Sequence, residues 1–278
     1  MKNKIRLLLI LLVSSLFVLT IHSSAKEESL LRDVYDYKIY YDRPTQELLS
    51  KMTNYDMVII EPVYYTKADI QSLKDSGTRV YGYINTMEAD TWNTSLFDQL
   101  NEDDFFHRNG ERVHYPEWDS YLTDITSSHY QQVLAEEVEK QIIDKGLDGA
   151  FLDTVGNIDN EHYRDADVLN NQRQGLVNWL VLLQEEHPDL SFIQNWGFDT
   201  LAEATAPYVD GIMWEGFHLS SIIYDEWANN QVYKLRSIRE EHGVEVFTVS
   251  FEQEKNSARF SKANRFKHYH EPDSFNEW

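Results

Sequence analysis

The sequence predicts an α/β fold, one (β/α)8 barrel following an N-terminal signal peptide, and three observations carry that expectation. Strand-like and helix-like segments alternate along the chain, as a parallel sheet with covering helices requires. Beyond the leader about 253 residues remain, the size of a single eightfold barrel. Two segments sixty-two residues apart, Asp148-Gly149-Ala150-Phe151-Leu152-Asp153 and Asp210-Gly211-Ile212-Met213-Trp214-Glu215, repeat one pattern: Asp-Gly, three mostly apolar residues, then a carboxylate. Their apolar centres are short, lack a helical period and sit between turn residues, so each reads as a buried strand ending in an acid.

The leader comes first. Lys2, Lys4 and Arg6 precede an apolar run over residues 7–21, and Ser23-Ser24-Ala25 resembles a small-residue cleavage site. Residues 1–25 therefore read as a secretory signal peptide and 26–278 as the barrel domain. The run is short for a membrane span, an uncleaved anchor being the alternative, and nothing later is apolar enough to cross a bilayer. Strands are expected at 38–42, 57–62, 79–86, 147–155, 190–195, 209–217 and 245–252, with a weak eighth at 266–270. Helical patterns lie between them at 45–53, 67–75, 127–145, 166–186, 221–242 and 256–264. Gly77, Gly146 and Gly243 each follow a helical pattern where a C-terminal glycine cap belongs, and Pro44 sits where a helix begins. The longest connection, 88–127, holds Trp92, Phe105, Phe106, Tyr115 and Trp118; a loop that long is functional or disordered, and its aromatics argue against disorder.

Composition narrows the function classes. The full chain carries a formal net charge of -22, and the leader holds three cations and no acids, so the exported form stands near -25 (-22 minus 3). Such a surface repels nucleic acid and anionic lipid and would attract a cationic ligand. Cysteine is absent, which removes disulfides, thiolate catalysis and thiolate metal sites. There is no nucleotide-binding glycine loop and no Gly-x-Ser-x-Gly elbow, and His107, His114 and His129 lack regular ligand spacing. No cofactor and no metal are expected.

Acids accumulate at the strand ends: Asp42, Glu61, Glu88, Asp90, Asp153, Glu215 and Glu252. In a parallel barrel these ends share one face and converge on the active site. Singly each acid is an ordinary loop residue or helix cap; together, such like charges need ligands, protonation or hydrogen bonds to relieve them. Side chains alternate along a strand, so an inward Asp153 takes Phe151 and Gly149 inward and turns Ala150 and Leu152 toward the helices. Glu215, Met213 and Gly211 repeat this, while Asp148 and Asp210 sit at the far ends as turn formers. Tyr83, Trp196, Trp214 and Phe217 lie near the same ends, where aromatic faces can stack on sugar rings; an outward Trp214 would instead pack against helices. Asn195-Trp196-Gly197 closes the fifth strand, its Asn placed to hold a substrate hydroxyl or a carboxylate, or simply to turn the chain.

At these strand ends the chain resembles glycoside hydrolase family 114, the endo-α-1,4-polygalactosaminidase-like barrels. The likeness rests on Tyr83-Ile84-Asn85-Thr86-Met87-Glu88-Ala89-Asp90, similar to the family's Tyr-Ile-Ser-Val-Gly-Glu-Ala-Glu, and on Gly146-Leu147-Asp148-Gly149-Ala150-Phe151-Leu152-Asp153. Asn195 and Glu215 match further positions, whereas Met87 replaces a glycine and Gln194 stands where many members carry lysine. The resemblance implies a TIM-barrel glycosidase, Asp153 and Glu215 as its catalytic acids, and a galactosamine polymer, cationic when not acetylated, as its polysaccharide substrate.

The expectation is then a secreted glycosidase with Asp153 and Glu215 as the acid and the base or nucleophile. Tyr83, Glu61, Glu88, Asp124, Asn195, Trp196, Trp214 and Glu252 are the substrate-binding candidates. Pairing Asp153 with Glu252 across the fourth and seventh strands is a second enzymatic reading, weakened because the fourth strand lacks Asn-Glu. Chitinase-like catalysis is weaker still, since Val155 occupies the required glutamate position. A non-catalytic glycan-binding barrel is the alternative from another class.

Overall fold

The computed structural model describes residues 31–278, so the expected signal peptide lies outside the described residues. Eight parallel strands form one sheet in chain order: β1 (Tyr37–Tyr40), β2 (Met57–Ile60), β3 (Arg79–Asn85), β4 (Gly149–Asp153), β5 (Ser191–Asn195), β6 (Gly211–Glu215), β7 (Glu245–Ser250) and β8 (Lys267–His270). Seven lie within the expected ranges, shortened at one or both ends, and β1 begins one residue earlier than the expected 38–42. The architecture is a (β/α)8 TIM barrel. Among the described residues no helix is long and apolar enough to cross a membrane.

Parity organises two cores. Tyr37, Ile39, Ile59, Phe151, Ile193 and Met213 fill the barrel interior, while Ala150, Leu152, Phe192, Ile212 and Trp214 pack outward under the helices. The inward set ends at Asp153, Asn195 and Glu215, so the same alternation that buries the apolar residues lifts these three polar side chains onto the barrel's carboxyl face. At the opposite end Asp148 accepts from Val80 N (2.8 Å), and Asp210 accepts from Phe192 N (3.1 Å). These two acids therefore staple neighbouring strands rather than merely forming turns.

The seam between β8 and β1 is clamped by side chains. Lys38 Nζ, on β1, donates to Tyr269 Oη (2.5 Å) and to Glu271 Oε2 (3.1 Å), and Lys38 and Glu271 are both buried. Beyond the strands, Tyr41 N donates to Phe275 O (2.7 Å), which draws the C-terminal segment across the barrel mouth. The sequence of β8, Lys-His-Tyr-His, is half-buried throughout, which is why its signal is weak.

The covering helices are α1 (Gln46–Met52), α2 (Lys67–Asp75), α3 (Ser128–Val138), α4 (Ala166–Glu186), α5 (Glu226–His242) and α6 (Glu254–Ala263). Thr66 and Asp69 form a capping box on α2, and Asp165 caps α4 through Asp167 N and Val168 N. Thr45 caps α1, so Pro44 lies one residue before the cap. Two expected helices differ. The pattern over 127–145 divides into α3 and a π-helical segment, Glu139–Ile143. The pattern over 221–242 breaks at Asp225, whose extended backbone and side chain, accepting from Ala228 N (2.8 Å), start α5 afresh.

The long connection after β3 is ordered. It forms a three-stranded antiparallel sheet (Glu88–Asp90, Ser120–Leu122, His114–Tyr115) and a two-stranded ribbon (His107–Arg108 with Glu111–Arg112). Phe97, Phe105 and Tyr121 pack at its centre, and the Arg112 guanidinium lies 3.7 Å from the Phe105 ring centre. This insertion builds one wall of the barrel mouth.

Candidate active site

A cleft of about 800 Å³ opens on the carboxyl face of the barrel. Its floor carries Asp153, Asn195 and Glu215; its walls include Glu61, Glu88 and Asp90, with Trp92 and Trp118 from the insertion and Phe251, Phe275 and Asn276 opposite. Among the described residues no Lys, Arg or His lines it. Five carboxyl groups thus share one cavity with no lining cation.

Asn195 organises the floor. Its Nδ2 donates to Asp153 Oδ1 (2.7 Å) and to Glu215 Oε1 (2.8 Å), so those two oxygens are no farther apart than 2.7 plus 2.8, or 5.5 Å. The strands ending in these residues are each followed by a left-handed residue: Thr154 (φ 62°), Trp196 (φ 56°) and Gly216 (φ 71°). For threonine and tryptophan that conformation costs about 1–3 kcal/mol each, and it turns the chain away so that the polar ends stand open. Gln194, behind Asn195, donates to the carbonyls of Trp196 (2.8 Å) and Gly197 (2.9 Å), fixing the turn from the helix side. A side chain at Gly197 would be strained by its φ of 69° and would meet Gln194 Nε2 at 3.1 Å.

Burial and like charge set the protonation pattern. Burial, reinforced by the Asp153 charge and opposed by the Asn195 N–H, pushes the Glu215 carboxyl up to about 7. Burial also raises Glu61 to about 7 and Asp90 to about 6, against hydrogen bonds from Val63 N and Asn85. Glu88 is raised by burial too, although Ser120 and Asn157 donate to it. The phenols of Tyr41 and Tyr83 are held well above their ordinary range by burial and by Asp153, so both remain neutral donors beside the pair.

Other predicted residues fall into two groups. Tyr83, Glu61, Glu88, Asn195 and Trp196 line the cleft with the two acids. Trp214 does not: it is paired within the β6–β7 ladder, has outward parity and packs against Phe198 (5.0 Å) and Phe217 (5.1 Å). Glu252 follows β7, is exposed and lies outside the cleft lining, which counts against the pairing of Asp153 with Glu252. Asp124 also lies outside it; its Oδ1 accepts from Thr126 N (2.9 Å) and Gln172 Nε2 (2.8 Å), a tie holding the turn before α3. Asp42 is exposed and accepts from Arg43 N (2.7 Å).

Sequence reasoning missed several lining residues. Tyr41 lies two residues past Ile39, and Asn85 two past Tyr83, so strict parity would have found both. Asn85 is level with Asp153 in the β3–β4 register, donates to Asp90 Oδ2 (2.9 Å) and accepts from Thr154 Oγ1 (2.7 Å). Nothing local marks Phe251 or the C-terminal Ser274, Phe275 and Asn276. Met87, the departure from the resembled motif, is buried in the outer core and donates its N–H to Thr154 Oγ1 (2.9 Å). Among the described residues no group of three or more His, Cys, Asp or Glu is arranged to hold a metal ion.

Comparison with known proteins gives the same architecture. The glycoside hydrolase domain of PelA from Pseudomonas aeruginosa is similar at a TM-score of 0.70 and 17% identity, covering 88% of this chain and 97% of that one. Ega3 of Aspergillus fumigatus, solved in complex with galactosamine, is similar at 0.66 and 16%, covering 92% and 97%. The α-galactosidase TtGalA from Thermus thermophilus follows at 0.56 and 13%, covering 84% of this chain and 58% of that one. No curated protein matches the sequence. The model of glycoside-hydrolase family GH114 matches residues 29–276, nearly the whole described chain, and the protein therefore belongs to that family and is a glycosidase.

Proposed function

We propose that the protein is an exported, retaining endo-glycosidase that cleaves α-1,4-linked galactosamine polymer, with Glu215 as the general acid and base and Asp153 as the nucleophile. The observation that carries the mechanism is the single Asn195 amide nitrogen bonded to both carboxylates. The upper bound of 5.5 Å it places on their facing oxygens (2.7 plus 2.8) favours the close spacing of about 5–5.5 Å of retaining enzymes over the roughly 6.5–9.5 Å that inversion needs for its water.

The roles follow from the protonation pattern. Glu215, held up near 7, keeps a proton for the leaving oxygen. As that proton transfers, Asp153 attacks the anomeric carbon, the glycosidic bond breaks, and a glycosyl ester forms on Asp153. Glu215, now a carboxylate, takes a proton from water, which attacks the same carbon and releases Asp153; two inversions leave the α configuration unchanged. Asn195 holds the two groups in register throughout.

The substrate assignment draws on the acid-rich, cation-free lining, which suits a polymer of ammonium-bearing sugars, and on the likeness to Ega3, solved with galactosamine. Export draws on residues 1–25. The test is incubation of residues 26–278 with partly deacetylated α-1,4-galactosamine polymer, reading reducing ends, product lengths and product anomer. Oligomers with initial α configuration, absent with Asp153→Asn, are expected. Initial β product, or undiminished cleavage by Asp153→Asn, would sink the mechanism, and no cleavage would sink the substrate.

A further inference from the structure

A second, smaller space adjoins the cleft. It is a recess of about 30 Å³ that shares Glu61, Tyr83, Asn85, Glu88 and Asp90 with the cleft wall and continues between the barrel rim and α3, where Glu137 and Gln141 close it. A volume of that size admits one or two water-sized groups. Gln141 sits in the π-helical segment that follows α3, a distortion often found where a helix serves a site. The segment approaches β3 closely because Gly82 lacks a side chain: a Cβ there would stand 2.4 Å from Ile142 Cδ1.

The chemistry of the recess is unbalanced. Gln141 is 5% exposed, and its Oε1 is buried with no hydrogen-bond partner among the described residues. Beside it Glu137 is buried and receives only a long bond from Asn93 Nδ2 (3.4 Å), and Glu61 accepts from Val63 N at 3.4 Å. The charged groups whose fields reach Glu61 are Asp90, Glu137 and Lys145. Lys145 spends its Nζ on Pro62 O (2.5 Å) and does not line the recess. What the walls lack is a compact donor carrying positive charge. An unpaired buried acceptor is costly, so a ligand that supplies the donor recovers that cost on binding.

We infer that this recess is the seat of a substrate ammonium: the 2-amino group of one non-acetylated galactosamine unit enters it from the cleft and is held by Glu61, Glu137 and Gln141 Oε1. This rests on the proposed galactosamine substrate and adds the residues that read its amine. An ammonium group fits the available volume and offers three donors, one to Gln141 Oε1, which has none, and the others to Glu61 and Glu137, whose bonds are long, while an acetamido group adds three heavy atoms that the recess does not hold and removes the charge. The recess thereby separates deacetylated from acetylated polymer, a discrimination of the kind in which an absent partner leaves buried polar groups unpaired.

The test is calorimetric titration of the full chain carrying Asp153→Asn, so that ligand is not consumed, with an α-1,4-galactosamine tetramer and its N-acetylated counterpart. Glu137→Gln and, separately, Gln141→Leu are added; both nearly conserve shape, and circular dichroism with thermal melting confirms the fold. A tenfold or greater loss of affinity for the amino tetramer in both, with binding of the acetylated tetramer weak and unchanged, is expected. Affinity within twofold of the parent in both variants overturns the recess as the amine's seat while leaving the glycosidase reading intact, provided the wild type cleaves the amino polymer. If the wild type neither binds nor cleaves it, the substrate reading falls and the inference falls with it.

Discussion

Glu215→Gln is the substitution that most directly tests the division of labour. Its shape is nearly preserved and Asn195 retains an oxygen to donate to, so the loss isolates the proton. A general acid contributes about 10²–10⁴ in rate, and kcat/KM on amino-sugar oligomers should fall by that factor at pH 6. The structure also fixes a pH signature. With Glu215 near 7, the protonated fraction drops from about 0.9 at pH 6 to about 0.1 at pH 8, so wild-type kcat/KM should fall about tenfold over that interval. In Glu215→Gln that alkaline fall should vanish. With a nitrophenyl α-galactosaminide, whose leaving group needs no proton, the variant should still form the glycosyl-enzyme readily, giving a burst of nitrophenol, whereas Asp153→Asn should give none. The assay is stopped-flow absorbance for the aryl glycoside and reducing-end release for the oligomer, both across pH 5–9. An unchanged alkaline limb in Glu215→Gln would refute the assignment of the acid, and a burst in Asp153→Asn would refute that of the nucleophile.

Three further predictions follow from the hydrogen-bond and charge pattern. Asn195→Ala removes the N–H that lowers Glu215, so its alkaline limb should move above about 7 while kcat drops about 10–100-fold; a limb that stays in place or shifts down would contradict the bridging role. Lys38→Met leaves Glu271 buried without its cation at the β1–β8 seam and should cost about 3–5 kcal/mol, lowering Tm by roughly 10 °C, with most of the loss recovered by adding Glu271→Gln; calorimetry decides. Glu61, raised by burial to about 7, binds its proton more tightly folded than unfolded, so its contribution to stability is present below its unfolded pKa and is lost as pH rises through 7. Glu61→Gln should therefore stabilise the ligand-free protein by roughly 2–3 kcal/mol at pH 8 and by less than about 1 kcal/mol at pH 5; equal effects at both, measured by urea unfolding, would contradict the shift.

Much of the barrel was legible because parallel strands covered on both faces write themselves as short apolar runs between turns, and because one side chain in two points inward. That parity correctly placed Asp153 and Glu215 together on one face. Trp214 and Trp196 show where the rule stops. Trp214 lies within the ladder, opposite Thr248, and obeys the alternation by packing outward. Trp196 is one residue beyond its strand in a left-handed conformation, and the turn carries it into the cleft lining despite its adjacency to inward Asn195. Sequence period says nothing about a residue after the strand has ended. The insertion was opaque for a related reason: its strands are two or three residues long and polar, and they are held by a local aromatic cluster rather than by alternation. The C-terminal wall of the cleft is placed by a bond between Tyr41 and Phe275, residues 234 apart in sequence (275 minus 41), which no local pattern encodes. Glu252, exposed after its strand, and Asp124, tied into the turn before α3, lie off the cleft because acid content alone does not tell a cleft wall from a loop.

The arrangement of carboxyl groups answers a difficulty that a cationic substrate creates for an acid catalyst. An ammonium close to Glu215 would favour its ionised form and strip it of the proton that catalysis needs. The cleft eases this by keeping Glu61 and Glu137 off Glu215, with Asp90, which also feels Asp153, standing between the two sets. Glu215 responds to Asp153 and Asn195, whereas Glu61 responds to Asp90, Glu137 and Lys145, and neither Glu61 nor Glu137 figures among the causes acting on Glu215. An ammonium seated against Glu61 and Glu137 neutralises the second group, drawing Glu61 toward its ionised form, and leaves the first with its proton. Binding charge and catalytic charge thus occupy different ends of one acidic cavity, and the alkaline limb of kcat should sit within about half a pH unit of that of kcat/KM when the substrate is the amino polymer. A limb for kcat displaced downward by a full unit or more would mean that the ammonium lies beside Glu215 instead, and would move the amine's seat from the recess to the catalytic floor.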